Sequence, residues 1–400
     1  MSEWNEARLG DLCTFVSRGI TPQYVDEGIP VINQKCIRNN KVDLSLCRFT
    51  SSLQRIKEDK FVQYGDILIN STGTGTLGRV ATYKHHLDKI SADGHVTIIH
   101  TNHDVDPLYL GYYLHSVEPL IENLGRGTTN QLELSPSDLK RIKIVLPCLQ
   151  TQKQVVKILS AYDDLIENNN RRIALLEKAA QELYKEWFVR FRFPGFENVK
   201  FENGLPEGWE RKRISTYYST CSGGTPSRTH EEYYEYGVYP WVKTGEIKDC
   251  IIIDTEEYIT EEAVRRSSAK LLPPKSVAMA MYGVNIGQLG YFDKPMTCNQ
   301  ACCVFSDKRN FSSKHYLFYY LKSIRDYLLL ISFGAAQQNL SQELIKKIKI
   351  VMPSDYIVTA FEEKIDVIYD SIRSLMQKNQ NLTKQRDLLL PRLMSGKLEV

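Results

Sequence analysis

No apolar run in this 400-residue chain approaches the roughly 18 residues that cross a bilayer, and MSEWNEARLG lacks the order of a secretory signal. The chain is expected to be cytoplasmic, with no membrane partner. Neither sign of charge is in excess. There are 51 Lys/Arg against 48 Asp/Glu, and residues 1–147 hold 16 against 17. Any nucleic-acid surface must therefore come from segregating charge onto one face. Nine cysteines without regular spacing, with one adjacent pair at Cys302 and Cys303, read as reduced and mostly buried thiols. Catalytic signatures are missing too. No G-x-x-x-x-G-K-[ST] occurs, since Gly396-Lys397 is followed by Leu398. LPPKS at 272–276 is not the Asn/Asp-Pro-Pro-aromatic loop of amino-methyltransferases, and no nucleophile stands at a recognisable spacing from a base. No catalytic residue, metal or cofactor is assigned to this chain.

Two apparent motifs carry less than they suggest. Gly73-Thr-Gly75-Thr-Leu-Gly78 has dinucleotide-binding spacing after the strand-like DILIN, but the next residues are RVATYK, β-branched rather than helical. Phosphate capture at that turn needs a helix N-terminus. Five of the eight histidines, His85, His86, His95, His100 and His103, fall close together. No Cys or carboxylate pattern completes a metal site around them, so they read as loop and strand histidines. Cys298, Cys302 and Cys303 likewise lack a second cluster and read as core thiols.

Glycine and proline are also absent from residues 153–190, and that absence has a positive meaning. Val155, Leu159, Tyr162, Ile166, Asn169, Ile173, Leu176, Ala180, Leu183 and Trp187 step by 4 and 3 without a break. This is one seam on a long helix, flanked mostly by charged and amide side chains. At ~1.5 Å per residue the helix would be about 55–60 Å long. A second seam, Phe361, Ile365, Ile368, Ile372, Leu375, Asn379, Leu382, Arg386, Leu389 and Leu393, repeats the stepping. IKIVLP (142–147) and IKIVMP (348–353) precede the two helices, so the chain is internally duplicated.

The expected organisation is α+β: two pseudo-symmetric mixed α/β units separated by two long helices that form an antiparallel coiled coil. The units are residues 1–147 and 209–353, the helices 148–192 and 354–400, and the linker 193–208. In the first unit, strands are expected at 29–33, 66–70, 79–83 and 95–100 and one amphipathic helix at 107–124. Ser135 and Pro136 mark another helix start. Trp4 returns as Trp209, residues 19–22 as 224–226, 30–37 as 240–247, and GTTNQLELS as GAAQQNLSQ. In a fully overlapped antiparallel pair, the fifth seam position of one helix faces the sixth of the other. Asn169 would then meet Asn379 and fix the register, with Tyr162 opposite Arg386 and Trp187 opposite Phe361. Pro391 should end the second helix.

Polar chemistry in glycine-punctuated loops remains. The first unit offers Arg18, Thr21, Ser71, Thr72, Thr74, Arg126, Thr128, Thr129, Asn130 and Gln131. The second offers Ser222, Thr225, Tyr282, Asn285, Gln288, Gln337, Gln338 and Asn339. Gln, Asn and Arg suit base edges, while Ser, Thr and backbone N–H suit phosphates. Each residue taken alone is as readily an ordinary turn or cap residue.

IKIVLPCLQTQKQVVKIL with Pro147 and Gln152, LPEGW at 205–209, GGTP at 223–226, AQQNLS at 336–341 and LLPRLMSGKL at 389–398, in this order, carry a resemblance. The chain resembles the DNA-specificity subunits of type I restriction-modification systems over essentially its whole length. Cys148 to Gln152 and Ser354 to Val358 keep only part of that family's acidic-Gln pattern. The resemblance implies two target-recognition domains reading a split double-stranded DNA sequence. It also implies that the helices dock two methyltransferase subunits, which carry S-adenosylmethionine, and that restriction/translocase subunits join with ATP and Mg²⁺. The missing catalytic motifs agree with chemistry on partners. The residues themselves leave open a coiled-coil scaffold, or the DNA-recognition component of a related non-restricting defence system.

Overall fold

A computed structural model of the chain describes residues 4–127, 132–332 and 339–400. Two compact units share the helices: one holds the chain up to Ile166 together with Asn381–Val400, the other Glu167–Gln380. Among the described residues, no helix is long and apolar enough to cross a membrane.

The first unit is built on an antiparallel sheet in the order Cys13–Arg18, Val96–Thr101, Ile67–Asn70, Val80–Thr82. Ile67, Leu68 and Ile69 are all fully buried because both faces are covered. Side chains alternate across a strand. Accordingly Ile67, Ile69, Val80 and Ile99 join the core under the helices, while Leu68, Ala81, Val96 and Ile98 join a second core on the other side. That second face is closed by the strands Ser91–Ala92, Ile29–Ile32, Arg48–Thr50 and Tyr24–Val25. Lys143–Leu146, the IKIV segment, pairs antiparallel with Asn5–Arg8 just before the long helix.

The second unit repeats this plan. Its sheet runs Tyr218–Ser222, Cys302–Asp307, Val277–Ala280, Leu289–Phe292, with Cys250–Ile252 added in parallel at the edge. Val277, Met279, Leu289 and Phe305 face the helix side, and Ala278, Ala280, Phe292 and Val304 the other. Lys349–Met352 pairs with Glu210–Arg213. Residues 201–206 form a small hairpin, Phe201–Glu202 with Leu205–Pro206, and Phe191 and Phe193 pack on Trp209.

The copies align where backbone meets backbone. A Cβ on Gly19 would lie 1.9 Å from the carbonyl of Ala92, and one on Gly223 would lie 2.1 Å from that of Cys298. Gly19-Ile-Thr-Pro therefore matches Gly223-Gly-Thr-Pro, one residue earlier than the match at Gly224 read from sequence. The single helix expected over 107–124 is two, Pro107–Ser116 and Glu118–Asn123, with Val117 between them at φ −113 and ψ 20. Pro119 lacks the N–H needed to continue the first helix. Yet Lys314–Ser323 and Arg325–Ser332 break at the same place without proline, so the bend belongs to the fold. Ser135 caps Pro136–Lys140 through the Asp138 N–H at 3.1 Å.

The first long helix spans Leu149–Tyr184 and passes into a π turn at Lys185–Val189; the second spans Asp355–Met394. They run antiparallel within each unit. In the second unit, Asn169 Nδ2 donates to Asn379 Oδ1 at 2.8 Å, and Trp187 lies 5.9 Å from Phe361, ring to ring. Asn379 Nδ2 in turn donates to Asn170 at 2.8 Å. In the first unit, Leu390 and Leu393 share a core with Val155 and Leu159. Arg386 takes Asp163 at 2.7 Å, the residue after Tyr162, because a carboxylate holds a guanidinium better than a phenol does. Pro391 lies inside the second helix rather than ending it. In a last turn its missing N–H removes one hydrogen bond, while its carbonyl still accepts from Ser395 at 3.2 Å.

Of the nine cysteines, Cys36, Cys298, Cys302 and Cys303 are buried, four are half-buried and Cys148 is exposed, so fewer are interior than the sequence suggested. The five clustered histidines disperse. Four of them take separate partners: His85 the Val42 carbonyl, His86 the Tyr64 ring, His95 Thr72 and His100 Asp66.

Candidate nucleic-acid interface

In the first unit the glycine turn joins Ile67–Asn70 to Val80–Thr82, so a strand follows it and not a helix. Gly78 N donates to Asn70 O at 2.8 Å, and Asn70 N to Arg79 O at 2.9 Å. Gly78 sits at φ +82, where a side chain would be strained. Three contacts anchor the turn to its neighbours. Asn70 Nδ2 donates to Gln34 O at 3.1 Å, Gln34 Nε2 to Thr72 O at 2.6 Å, and Thr72 Oγ1 meets His95 Nδ1 at 2.8 Å. Leu134 N donates to the Ser71 carbonyl at 2.8 Å, and Arg126 and Glu133 exchange backbone bonds of 2.9 and 2.8 Å. Arg126, Glu133 and Leu134 are thereby tied to the turn.

Three of the sequence candidates converge here. Arg18 donates to Leu134 O at 2.9 Å and pairs with the Glu133 carboxylate at 2.8 Å, while Thr72 forms a β-bridge with Glu133. Arg126, three-quarters exposed, pairs with Asp138 at 2.9 Å. Asp138 is itself buried and also faces Arg141 at 3.6 Å, so the pair is anchored at its carboxylate end while the Arg126 guanidinium faces solvent. Thr74 and Thr21 are exposed, and the Thr21 carbonyl accepts from Gln54 at 2.9 Å. Ser71 departs from expectation. It is fully buried and its hydroxyl bonds Thr97 at 2.6 Å, so it serves the sheet and not a ligand. Behind the turn, burial pushes the Asp93 carboxyl upward, opposed by the His95 N–H it accepts at 2.9 Å. Thr128, Thr129, Asn130 and Gln131 lie outside the described residues.

The second unit reaches the same arrangement with other side chains. Gly287 N donates to Ala280 O at 2.8 Å, Ala280 N to Gln288 O at 2.9 Å, and Leu340 N to Met281 O at 2.8 Å. Asn285 Nδ2 donates to Thr244 O at 2.9 Å, as Asn70 does to Gln34 in the first copy. Thr225 and Tyr282 both bond Gln300, Thr225 to its side chain and Tyr282 to its carbonyl at 3.3 Å. Ser222 accepts from Gln342 at 2.6 Å. Gln288 Oε1 is buried with no hydrogen-bond partner among the described residues, and Asn339 is half-buried. Gln337 and Gln338 lie outside the described residues.

Sequence reasoning missed Gln34, His95, Glu133, Gln300 and Gln342, the residues that hold the candidates. Gln34 left a signal in the segment 30–37 that returns as 240–247, and Glu133 and Gln342 lie in the repeat of GTTNQLELS as GAAQQNLSQ; His95 read as a loop or strand histidine, and Gln300 left none.

The family model for the type I restriction modification DNA specificity domain matches residues 1–178 and again 206–386. The specificity subunit of the type I restriction enzyme MjaIX of Methanocaldococcus jannaschii is 28% identical over 419 residues, spanning 100% of this chain and 94% of its own. That of the HindI enzyme of Haemophilus influenzae is 26% identical over 475 residues, spanning all of both. A crystal structure of the type I S subunit from M. genitalium has the same fold, with a TM-score of 0.60, 16% identity and coverage of 98% of this chain and 96% of that one. Two matched stretches, each running through a globular unit into a long helix, place this chain in the type I restriction-modification DNA specificity family, as a non-catalytic specificity subunit of a type I system.

Proposed function

We propose that each unit reads one block of a bipartite double-stranded DNA target, through the glycine turn and the loops tied to it. One observation carries this reading. In each copy, segments far apart in sequence are locked together by backbone hydrogen bonds, Leu134 to Ser71 in one and Leu340 to Met281 in the other, with Thr74 and Arg126 exposed beside them in the first. Rigid backbone beneath adaptable Thr, Asn, Gln and Arg side chains suits base-edge and phosphate contacts. Residues 1–147 and 209–353 serve as the recognition domains, and 193–208 as the linker.

Catalysis belongs to partners in this reading. Two methyltransferase subunits carrying S-adenosylmethionine dock on the long helices, and restriction/translocase subunits join with ATP and Mg²⁺, in the cytoplasm. Leu175 and Leu388, each 66% exposed on the long helices, are apolar surface that docking would cover. Asn169 and Asn379 set the helix register. The test is a methylome of a host carrying all subunits, with and without this gene. A gapped adenine-methylated motif should vanish on deletion, and its persistence would refute the reading.

A further inference from the structure

The backbone N–H that follows each glycine turn is capped by a carboxylate, and the two copies supply it differently. In the first unit the Val80 N–H donates to Glu118 Oε1 at 2.7 Å, and His115 Nδ1 lies 2.9 Å from the same oxygen. Val80 pairs with Ile69, the residue before Asn70. Leu289 pairs with Met279 and is its counterpart. Its N–H donates to Asp249 Oδ1 at 3.0 Å. Asp249 is gripped by both terminal nitrogens of Arg325, whose Nε reaches the Gly287 carbonyl of the turn at 3.3 Å. Glu118 and Arg325 are each the first residue of the helix after the shared bend. One position therefore bears a carboxylate in one copy and a guanidinium in the other, yet the same N–H ends against a carboxylate. Asp249 holds φ +59 to do so, a conformation that costs an L-residue energy.

We propose that Glu118 in the first unit and the Asp249–Arg325 pair in the second are positioning residues for DNA reading. They fix the angle at which each glycine turn presents its tip. This rests on the turns contacting DNA, as proposed above. The clamp matters there because the turn leaves the sheet between two short strands, closed at its base by two backbone bonds in each copy (Gly78 to Asn70 and Asn70 to Arg79, Gly287 to Ala280 and Ala280 to Gln288), and the carboxylate holds the first N–H after that base. Losing the acceptor would let the tip swing while both strands stay paired, so target discrimination should fall before stability does.

The experiment uses the complete methyltransferase complex, methylating cognate duplexes and duplexes with one changed base pair in either block. Glu118→Leu should lower discrimination about tenfold in one block and leave the other intact, the scale of one lost hydrogen bond to a charged group. Glu118→Gln keeps an acceptor oxygen and should lose much less. In the second unit, Asp249→Asn keeps an acceptor oxygen for the Leu289 N–H while removing the charge that Arg325 grips, and Asp249→Leu removes both. A merely structural ion pair would make the two variants lose alike, whereas the clamp has Asp249→Leu lose discrimination in the other block and Asp249→Asn lose much less. Replacing residues 73–76 is the control. If that replacement leaves the target unchanged, the turns do not read DNA. If it changes the target while Glu118→Leu and Asp249→Leu leave discrimination intact, the clamp itself is refuted.

Discussion

The two units solve one packing problem, joining a globule to a pair of helices, with opposite chemistry. In the first, Asp163 of the long helix is nearly buried and collects Tyr112, Arg386 at 2.7 Å and Lys84 at 3.5 Å. Aligning the copies by Pro147 and Pro353 puts Tyr369 where Asp163 stands, and there the partner is Tyr319, hydroxyl to hydroxyl at 3.4 Å. At that level the second joint is aromatic. Phe188 packs on Phe361 and Tyr316 at 4.8 and 4.7 Å, with Tyr184 beside them. The reverse swap occurs two turns away. Val156 in the first unit is apolar, and its counterpart Glu362 accepts from His315 at 2.9 Å in a buried pair. Backbone geometry holds the frame, and either ions or rings can fill it.

The strongest test of that independence is exchange of a whole copy. Replacing residues 1–147 with those of another family member should change one block of the methylated motif entirely and leave the other untouched. Alteration of both blocks would mean the copies are coupled.

At the joints, the prediction turns on what is stranded. Arg386→Leu leaves the Asp163 carboxylate buried with only Lys84 as a charged partner, at a cost of about 3–5 kcal/mol. Asp163→Leu combined with Arg386→Leu should recover most of it. Tyr369→Phe removes only one hydroxyl contact and should cost about 0.5–1.5 kcal/mol. Denaturant midpoints of the assembled complex measure all three, and equal costs at the two joints would erase the contrast. Burial raises the Asp163 pKa, but Tyr112, Lys84 and Arg386 overcome it and hold the group below its ordinary value. Its contribution is therefore complete above the unfolded pKa and fades as pH falls through the lower folded one.

Between these extremes lies the amide layer. Asn169→Leu should cost about 1–3 kcal/mol, because Asn379 keeps a half-buried amide with one partner lost. The double leucine variant should regain that stability but tolerate slipped registers, visible as heterogeneous cross-links between cysteines placed on the two helices.

The smallest effect concerns His100. Burial pulls its pKa down, but Asp66 at 2.7 Å and the Asp59 carbonyl more than offset that, so the folded value is raised. Its stabilisation is complete below the unfolded pKa and is lost as pH rises through the folded one. Its counterpart in the second unit is Ser306, which does not titrate. Hydrogen exchange across that window should show the strands around His100 loosening, and His100→Gln should flatten the response.

Much of this was legible in the sequence because it rested on periodicity. A 4, 3 seam depends only on which residues are apolar, so it names the neighbours of Asn169 and Trp187 without any knowledge of loops. Three of the four strands of the first sheet were readable within a residue at each end, from β-rich runs set between Gly, Pro and Asn, while Cys13–Arg18 was not. The helix break at Val117 and Ile324 was not, since one copy marks it with Pro119 and the other with nothing. The clamp was invisible because Glu118 and Arg325 have opposite charge, and the carboxylate that matches Glu118 sits 76 residues upstream of Arg325. Among the candidates, Ser71 failed because a serine after a strand looks the same in sequence whether its hydroxyl faces water or Thr97.

The crowding at Gly19 and Gly223 bears on how such a chain changes over generations. At each, any side chain would collide with a carbonyl that belongs to the frame and not to a movable loop. Elsewhere the halves have wandered until a carboxylate is answered by a phenol. Thr-Pro still follows both glycines, two residues on in each half. These are fixed points about which neutral drift proceeds, and they let the reading surface be rewritten without the fold being renegotiated.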